Sequence, residues 1–246
     1  MEHVLKITVF GLLSGILGTS IGGLMAFFIG NIKKRTLSLI LEFSAGLMTS
    51  VVCFELIPEA FELGGTEVTI IGVVAGILSI VIIENFIKKA KYIKKRQERS
   101  GLLKTGILVA IGIALHNFPE GFAVGSGMEA SLTLGLTITA VIIIHDIPEG
   151  VAIAVPMRAG GVSKWKAFLL TVASGLPMGL GAFAGSLLGE ISSVMVSGCL
   201  GFAGGAMLYI VFGELVPESK KLYLGRLSSI GNIIGILCGI IISTYC

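Results

Sequence analysis

Two matched hexapeptides in the middle of the chain carry the side chains best suited to chemistry. They read His116-Asn117-Phe118-Pro119-Glu120-Gly121 and His145-Asp146-Ile147-Pro148-Glu149-Gly150. In each, a histidine and a glutamate stand four residues apart, so on a helix they share one face. Each hexapeptide lies in a long apolar stretch, where an imidazole and a carboxylate are costly to bury unless a bound ion or a partner charge offsets their desolvation. Two copies of one costly motif indicate one shared site.

The ligands that the hexapeptides offer favour a transition metal. Each histidine–glutamate pair presents an imidazole nitrogen and carboxylate oxygens, while Asn117 and Asp146 lie about 100° further around the helix, where they can serve a neighbouring position. Mixed nitrogen and oxygen ligation suits zinc, ferrous iron, manganese, cobalt and cadmium better than calcium or magnesium. The predicted ligand is a divalent transition metal ion.

Proline and glycine within the hexapeptides predict local irregularity. Pro119 cannot donate a hydrogen bond to the carbonyl of Leu115, and Pro148 likewise frees that of Ile144. We therefore expect both helices to bend or open there. The glycine that ends each hexapeptide is expected to let the backbone approach the ion.

The elements that position these residues are predicted to be membrane-spanning helices. The 246 residues have a mean hydropathy of +0.97, and only 13% are charged, against about 25% in soluble domains. Runs of about 20 apolar residues are long enough to cross a bilayer. Eight are predicted: Leu5 to Ile29, Leu37 to Glu59, Val68 to Phe86, Thr105 to Gly127, Leu132 to Pro156, Trp165 to Leu188, Ile191 to Pro217 and Leu227 to Thr244.

The basic residues predict the orientation of these helices. All 18 Lys and Arg residues except Lys6 fall in the first, third, fifth and seventh predicted loops. Because short cytoplasmic loops collect Lys and Arg, both termini are predicted to be extracytoplasmic, and the protein is predicted to be a multi-pass protein of the cytoplasmic membrane. The net charge of +3 is accounted for by this topology and does not indicate a nucleic-acid partner.

An internal repeat predicts the architecture. At a constant offset of 159, Phe43 to Ala60 matches Phe202 to Ser219 with eight identities in 18 positions. These segments are predicted helices 2 and 7, which must cross the membrane in opposite directions. We therefore expect one all-α transmembrane domain, 1–246, in a 3+2+3 arrangement with an inverted repeat. Its parts are a three-helix repeat (1–87), a cytoplasmic basic loop (88–104), a central helix pair with the metal site (105–157) and a second three-helix repeat (158–246).

Inverted repeats are typical of alternating-access transporters that hold their substrate near the midplane. Glu55 is predicted toward the outer end of helix 2 and its repeat-mate Glu214 toward the cytoplasmic end of helix 7. An entering cation could meet Glu55, then the central cluster, then Glu214. Met48 could add a soft thioether contact or pack as an apolar residue.

At these residues the chain resembles the ZIP family of zinc and iron transporters, specifically its bacterial, GufA-like members. The resemblance implies a central metal site formed by His116, Asn117, Glu120, Asp146 and Glu149, with His145 as a further ligand, Met48 completing the site and Glu214 on the release path. Two positions differ from the family pattern: Met178 stands where an acid often follows on helix 6, and Gly213 replaces a histidine before the helix 7 acid. Both weaken any transfer of a two-metal site.

The preferred hypothesis is a transporter that moves divalent metal ions, zinc first, into the cytoplasm. The ion is substrate, and no cofactor is predicted; the other expected partner is the lipid bilayer. Glycine-rich helix faces would permit a homodimer. The alternative is an intramembrane metal-dependent hydrolase, which is disfavoured because no H-E-x-x-H or comparable set of nucleophile and base occurs.

Overall fold

The computed structural model describes residues 2–28, 33–89, 99–130, 132–188 and 193–245. Within these ranges the chain is helical, without a strand. Two five-residue π-helical segments, Val52–Leu56 and Val211–Leu215, follow α3 and α9. The α-helices are α1 (Glu2–Gly23), α2 (Met25–Phe28), α3 (Lys34–Val51), α4 (Ile57–Lys89), α5 (Arg99–Ala130), α6 (Leu132–Ala159), α7 (Lys164–Ser174), α8 (Leu176–Leu188), α9 (Ser193–Ile210), α10 (Val216–Leu222) and α11 (Arg226–Tyr245).

The helices have the length and composition of a multi-pass membrane protein. Among the described residues, six helical stretches are long and apolar enough to cross a membrane, and Arg226–Ile241 is a shorter apolar helix. One of the six, Lys34–Phe86, has 53 residues. At about 1.5 Å per residue it would extend about 80 Å, far more than the roughly 30 Å of a hydrocarbon core. It is interrupted at Gly65, where φ is 75° and ψ is 179°.

The outer surface of the bundle is apolar, as lipid contact requires. Large hydrophobic side chains are exposed along α1, α4, α8 and α11, among them Leu17, Ile71, Leu180 and Ile241. Within the described residues, α5 ends at Ala130 and α6 at Ala159, close to the predicted span ends Gly127 and Pro156, whereas α10 continues past the predicted end at Pro217 to Leu222. The predicted basic loop 88–104 is only partly described, because residues 90–98 lie outside the described ranges and α5 already begins at Arg99.

The helices pack in two groups. In one, α5 and α6 pack against each other, α8 packs on α5, and α1 packs on both α6 and α8. In the other, α4 packs along α9 and α3 packs along α11. The two groups meet where α5 contacts α9 and α3 contacts α6, so the hexapeptides of α5 and α6 lie in helices that reach both groups.

The two π-helical segments occupy corresponding positions of the sequence repeat. The offset of 159 maps Val52–Leu56 onto Val211–Leu215. Each contains one glutamate, Glu55 or Glu214, and each is followed within three residues by a proline. π-helical turns inside α-helices are rare, and those that occur are often found at functional sites. Their recurrence at corresponding positions therefore supports the sequence repeat that relates the two segments.

Close helix contacts repeat with the same offset. A Cβ added at Gly76 of α4 would meet the carbonyl oxygen of Phe202, and one added at Gly235 of α11 would meet that of Phe43. The offset of 159 relates Gly76 to Gly235 and Phe43 to Phe202. The third predicted helix of each half therefore packs against the second predicted helix of the other half, in the same register.

Candidate metal site

The buried imidazole of His116 lies close to two glutamate side chains, one from its own helix and one from the neighbouring helix. His116 Nε2 of α5 lies 2.9 Å from Glu120 Oε1, one turn further along the same helix. It also lies 3.6 Å from Glu149 Oε1 of α6. His116 is fully buried, and Glu120 and Glu149 are 7% and 1% exposed. The first hexapeptide thus supplies its histidine and glutamate, and the second supplies its glutamate, to one place.

Asp146 adds a third carboxylate to this region. It is fully buried, and neither of its oxygens accepts a hydrogen bond from any described residue. It interacts electrostatically with the carboxylates of Glu120 and Glu149. The backbone of α1 passes directly behind it at Gly18, where an added Cβ would meet the Asp146 side chain. A buried carboxylate beside two others is stable only with a proton or a bound cation.

Asn117, the counterpart of Asp146 at an offset of 29, makes a different contact. Its Nδ2 donates a hydrogen bond of 2.8 Å to the carbonyl oxygen of Ser174, at the end of α7. Its Oδ1 has no hydrogen-bond donor among the described residues. An ionised Asp146 cannot make the corresponding contact, because a carboxylate only accepts. The two hexapeptides are therefore chemically unequal.

The glycines of the hexapeptides lie where helices pack closely, and the approach of the backbone to an ion stays a prediction. A Cβ at Gly121 would meet the carbonyl oxygen of Met178 in α8, and one at Gly150 would meet that of Thr19 in α1. Thr19 and Met178 are themselves related by the offset of 159. Both helices continue through their prolines, so neither opens there. Close contact on this side fixes the glutamates that precede the glycines.

The other predicted ligands are placed less closely. His145 lies in α6, but its side chain is outside the described part of the structure. Met48 is 1% exposed and packs in the apolar core together with Ile153 and Met157. Among the described side chains, no group of three or more His, Cys, Asp and Glu forms a ready-made metal site.

The two predicted path residues have different surroundings. Glu55 is partly exposed and interacts electrostatically with His116. Glu214 is 7% exposed and accepts hydrogen bonds from Lys104 Nζ at 2.6 Å and from Thr105 Oγ1 at 3.3 Å. Lys104 also binds Glu84 Oε1 at 2.8 Å, a contact that the sequence did not predict. The only sequence feature that could have indicated a role for Glu84 is its position as an acid near the end of an apolar run.

Chemically, the arrangement around His116 suits a cation. It combines one imidazole and three carboxylates in a region that the surrounding helices shield from water, and the orphaned oxygens of Asp146 and Asn117 are acceptors. Acceptors without donors are what a positively charged ion requires. Met178 stands at the helix 6 position where similar proteins often carry an acid. It is fully buried, and its Sδ accepts a hydrogen bond from Ser14 Oγ at 3.3 Å. It fills space between helices and supplies no carboxylate.

Comparison with known proteins agrees with these features. The family model described as ZIP Zinc transporter matches residues 91–244. The zinc transporter ZupT of Streptococcus mutans is 36% identical over 253 residues, covering 96% of this chain and 96% of the relative. The corresponding protein of Clostridium perfringens is 34% identical and covers 96% and 94%. The zinc transporter ZTP29 of Arabidopsis thaliana is 35% identical and covers 83% and 82%. The chain belongs to the ZIP zinc transporter family, a family of transporters and not of enzymes.

Proposed function

We propose that this protein carries divalent transition metal ions, zinc first, across the cytoplasmic membrane into the cytoplasm. The observation that supports the proposal most directly is the buried cluster in which Glu120 and Glu149 approach the His116 imidazole at 2.9 and 3.6 Å. Asp146 stands beside them without a hydrogen-bond donor among the described residues. Iron, manganese, cobalt and cadmium have compatible ligand preferences and are further candidate substrates. The hydrolase alternative is withdrawn, because the family is one of transporters.

The ligands of the transported ion are His116, Glu120, Asp146 and Glu149 in this proposal. Asn117 contributes its free Oδ1 while its amide remains bound to Ser174. His145 and Met48 complete the ligand set, the former from the same turn of α6 as Asp146. One metal ion is the expected occupancy, because Asn117 lacks the second carboxylate that its counterpart has.

The route follows from an eight-helix architecture in a 3+2+3 arrangement, with both termini extracytoplasmic. Gly65 separates the second and third spans in this scheme, and the repeated π-helical segments and glycine contacts support the inverted repeat. Glu55 then stands on the outer side of the central site and Glu214 on the inner side. Inverted repeats around one midplane site are suited to alternating access.

Uptake of zinc into proteoliposomes containing the purified full chain tests the proposal. We expect uptake that saturates with zinc and is lost in Glu149→Ala, since that variant removes a carboxylate adjacent to the His116 imidazole. Glu67→Gln is the matched control, because this glutamate is exposed and lies at the break between two apolar runs. Undiminished uptake by Glu149→Ala would show that the central cluster is not the transport site.

A further inference from the structure

A second buried ionic cluster lies away from the central site, where α4, α5 and the second π-helical segment meet. Lys104 Nζ donates to Glu84 Oε1 at 2.8 Å and to Glu214 Oε1 at 2.6 Å. The side chains of Glu84 and Glu214 are each 8% exposed, and that of Lys104 is 18% exposed. Tyr209 donates its hydroxyl to Glu84 Oε2 at 2.5 Å. One ammonium group thus holds two carboxylates from different helices.

The cluster lies on the line of the proposed route. Lys104 precedes His116 by 12 residues on the same helix, which corresponds to about 18 Å along the axis. Glu214, the proposed inner path residue, is one of the two carboxylates that it binds. Lys104 belongs to the basic segment 88–104 that predicts orientation, but its partly buried position between two carboxylates gives it a local role as well.

We infer that Lys104 is a tethered cation that closes the inner end of the route, and that the transported metal ion displaces its ammonium group from Glu84 and Glu214 on release. This inference rests on the proposed function. Both carboxylate oxygens lie within 2.8 Å of one ammonium nitrogen, so an approach of about half an ångström by each would bring them to the roughly 2.0–2.2 Å at which carboxylate oxygens bind zinc. The displaced ammonium group remains attached to α5, so it can return and expel the ion. Competition between a fixed and a mobile cation thus gives both closure and release.

The symmetry-related position carries no such cation. At an offset of 29, the counterpart of Lys104 is Thr133 of α6, which is uncharged. Glu55, the counterpart of Glu214, is partly exposed, whereas Glu214 is buried. The tethered cation is therefore a property of one half of the repeat only, and its effect is directional.

A nearby ion pair of different composition supplies the control. Lys220 Nζ lies 3.1 Å from Glu42 Oε1, and Asn232 Nδ2 donates to Glu42 Oε2 at 3.0 Å. This cluster also contains a lysine and a buried glutamate, but it has one carboxylate where the Lys104 cluster has two. Removal of Lys220 therefore leaves no pair of carboxylates for a divalent ion.

The test measures zinc binding by calorimetry on the detergent-solubilised full chain. Every protein in this test also carries Glu149→Gln, so that the central site contributes little to the measured zinc binding. We expect Lys104→Gln to bind one more zinc ion per chain than its parent, and the added Glu84→Gln exchange to abolish that gain. Lys220→Gln should gain none. A folded Lys104→Gln protein with no additional zinc would overturn the inference.

Lys104→Arg, without the central change, provides a measurement that does not depend on the stability of Lys104→Gln. A guanidinium group binds carboxylates in a bidentate manner and is harder to displace, so maximal zinc uptake should fall several-fold. The zinc concentration for half-maximal uptake should be unchanged, because entry is not affected. Undiminished maximal uptake would contradict the displacement of Lys104. If the unmodified protein moves no zinc while Lys104→Gln still gains a zinc ion, the proposed function fails and the metal-competent carboxylate pair remains.

Discussion

Exchange of Asp146 for asparagine should stabilise the metal-free protein and weaken metal binding. Asp146 is fully buried, and neither carboxylate oxygen has a hydrogen-bond donor among the described residues. Asparagine has nearly the same shape but carries no charge, and its amide can donate. The counterpart Asn117 shows that such a donor finds a backbone carbonyl in the related position, that of Ser174.

Asp146→Asn is expected to raise the stability of the metal-free protein and to lower its affinity for zinc. Without a bound cation Asp146 must be protonated, and protonating an aspartate at pH 7 costs about 4 kcal/mol, whereas a buried neutral amide left unsatisfied costs about 1–3 kcal/mol. The difference favours Asp146→Asn by about 2 kcal/mol, or roughly 4–8 °C in the melting temperature of a chain of this size. Loss of one charged ligand should weaken zinc binding at least about tenfold, equivalent to about 1.4 kcal/mol.

Thermal unfolding in detergent with a chelator, and zinc titration of the same preparation, provide both readouts. The reverse exchange, Asn117→Asp, is the control. It removes the hydrogen bond to Ser174 and brings a carboxylate oxygen toward a carbonyl oxygen, so the metal-free protein should lose about 1–3 kcal/mol. A lower melting temperature for Asp146→Asn, together with unchanged zinc affinity, would refute the assignment of Asp146 as a cation ligand.

Three further outcomes are expected. Gly150→Ala should destabilise the protein by about 1–3 kcal/mol, because the added Cβ would meet the carbonyl oxygen of Thr19. The control is Gly198→Ala, whose added Cβ would meet only Val68 Cγ1, at 3.7 Å. Equal melting temperatures of the two variants in thermal unfolding would contradict the close contact at Gly150. Ser38→Ala removes a buried hydroxyl within 2.8 and 2.7 Å of two other serine hydroxyls and should cost about 1 kcal/mol or more in the same assay. Glu120→Gln should reduce zinc uptake by proteoliposomes at least about tenfold, and uptake near that of the unmodified protein would remove Glu120 from the ligand set.

Local spacing predicted the part of the site that one helix determines. A histidine and a glutamate four residues apart share a helix face, and His116 and Glu120 indeed lie 2.9 Å apart. The proximity of Glu149 was expected only from the duplication of the motif, because its position depends on how α6 packs against α5. The close helix contacts of the motif glycines were not predicted, for the same reason. Nothing in the sequence near Gly121 indicates that the carbonyl of Met178, 57 positions later, passes beside it.

Hydropathy predicted the apolar helical stretches but not which charged residues meet, and two of its predicted spans, Leu37 to Glu59 and Val68 to Phe86, lie in one helical stretch, Lys34–Phe86. The interruption at Gly65 lies between the predicted spans that end at Glu59 and begin at Val68. Lys104 was grouped with its basic neighbours, because only the packing of α4 and the second π-helical segment against α5 brings Glu84 and Glu214 to it. The orientation of the termini, the eight-helix count and a homodimer stay predictions; cysteine labelling from each side of the membrane and chemical cross-linking would test them.

Repetition and asymmetry have separate physical roles in this protein. The contacts that repeat are made by backbone and glycine: Gly121 with Met178 and Gly150 with Thr19 follow one register, and side-chain identity at the contacted carbonyl is immaterial. Charge repeats at some positions, as in Glu55 and Glu214, but not at others: Asn117 stands opposite Asp146, and Thr133 stands opposite Lys104. In the proposed inverted repeat, a symmetric frame would allow two equivalent conformations, one open to each side of the membrane. In this scheme, the Lys104 ammonium group at one end alone would make the two conformations unequal in free energy, so that a few charged side chains and not the frame would set the direction of closure.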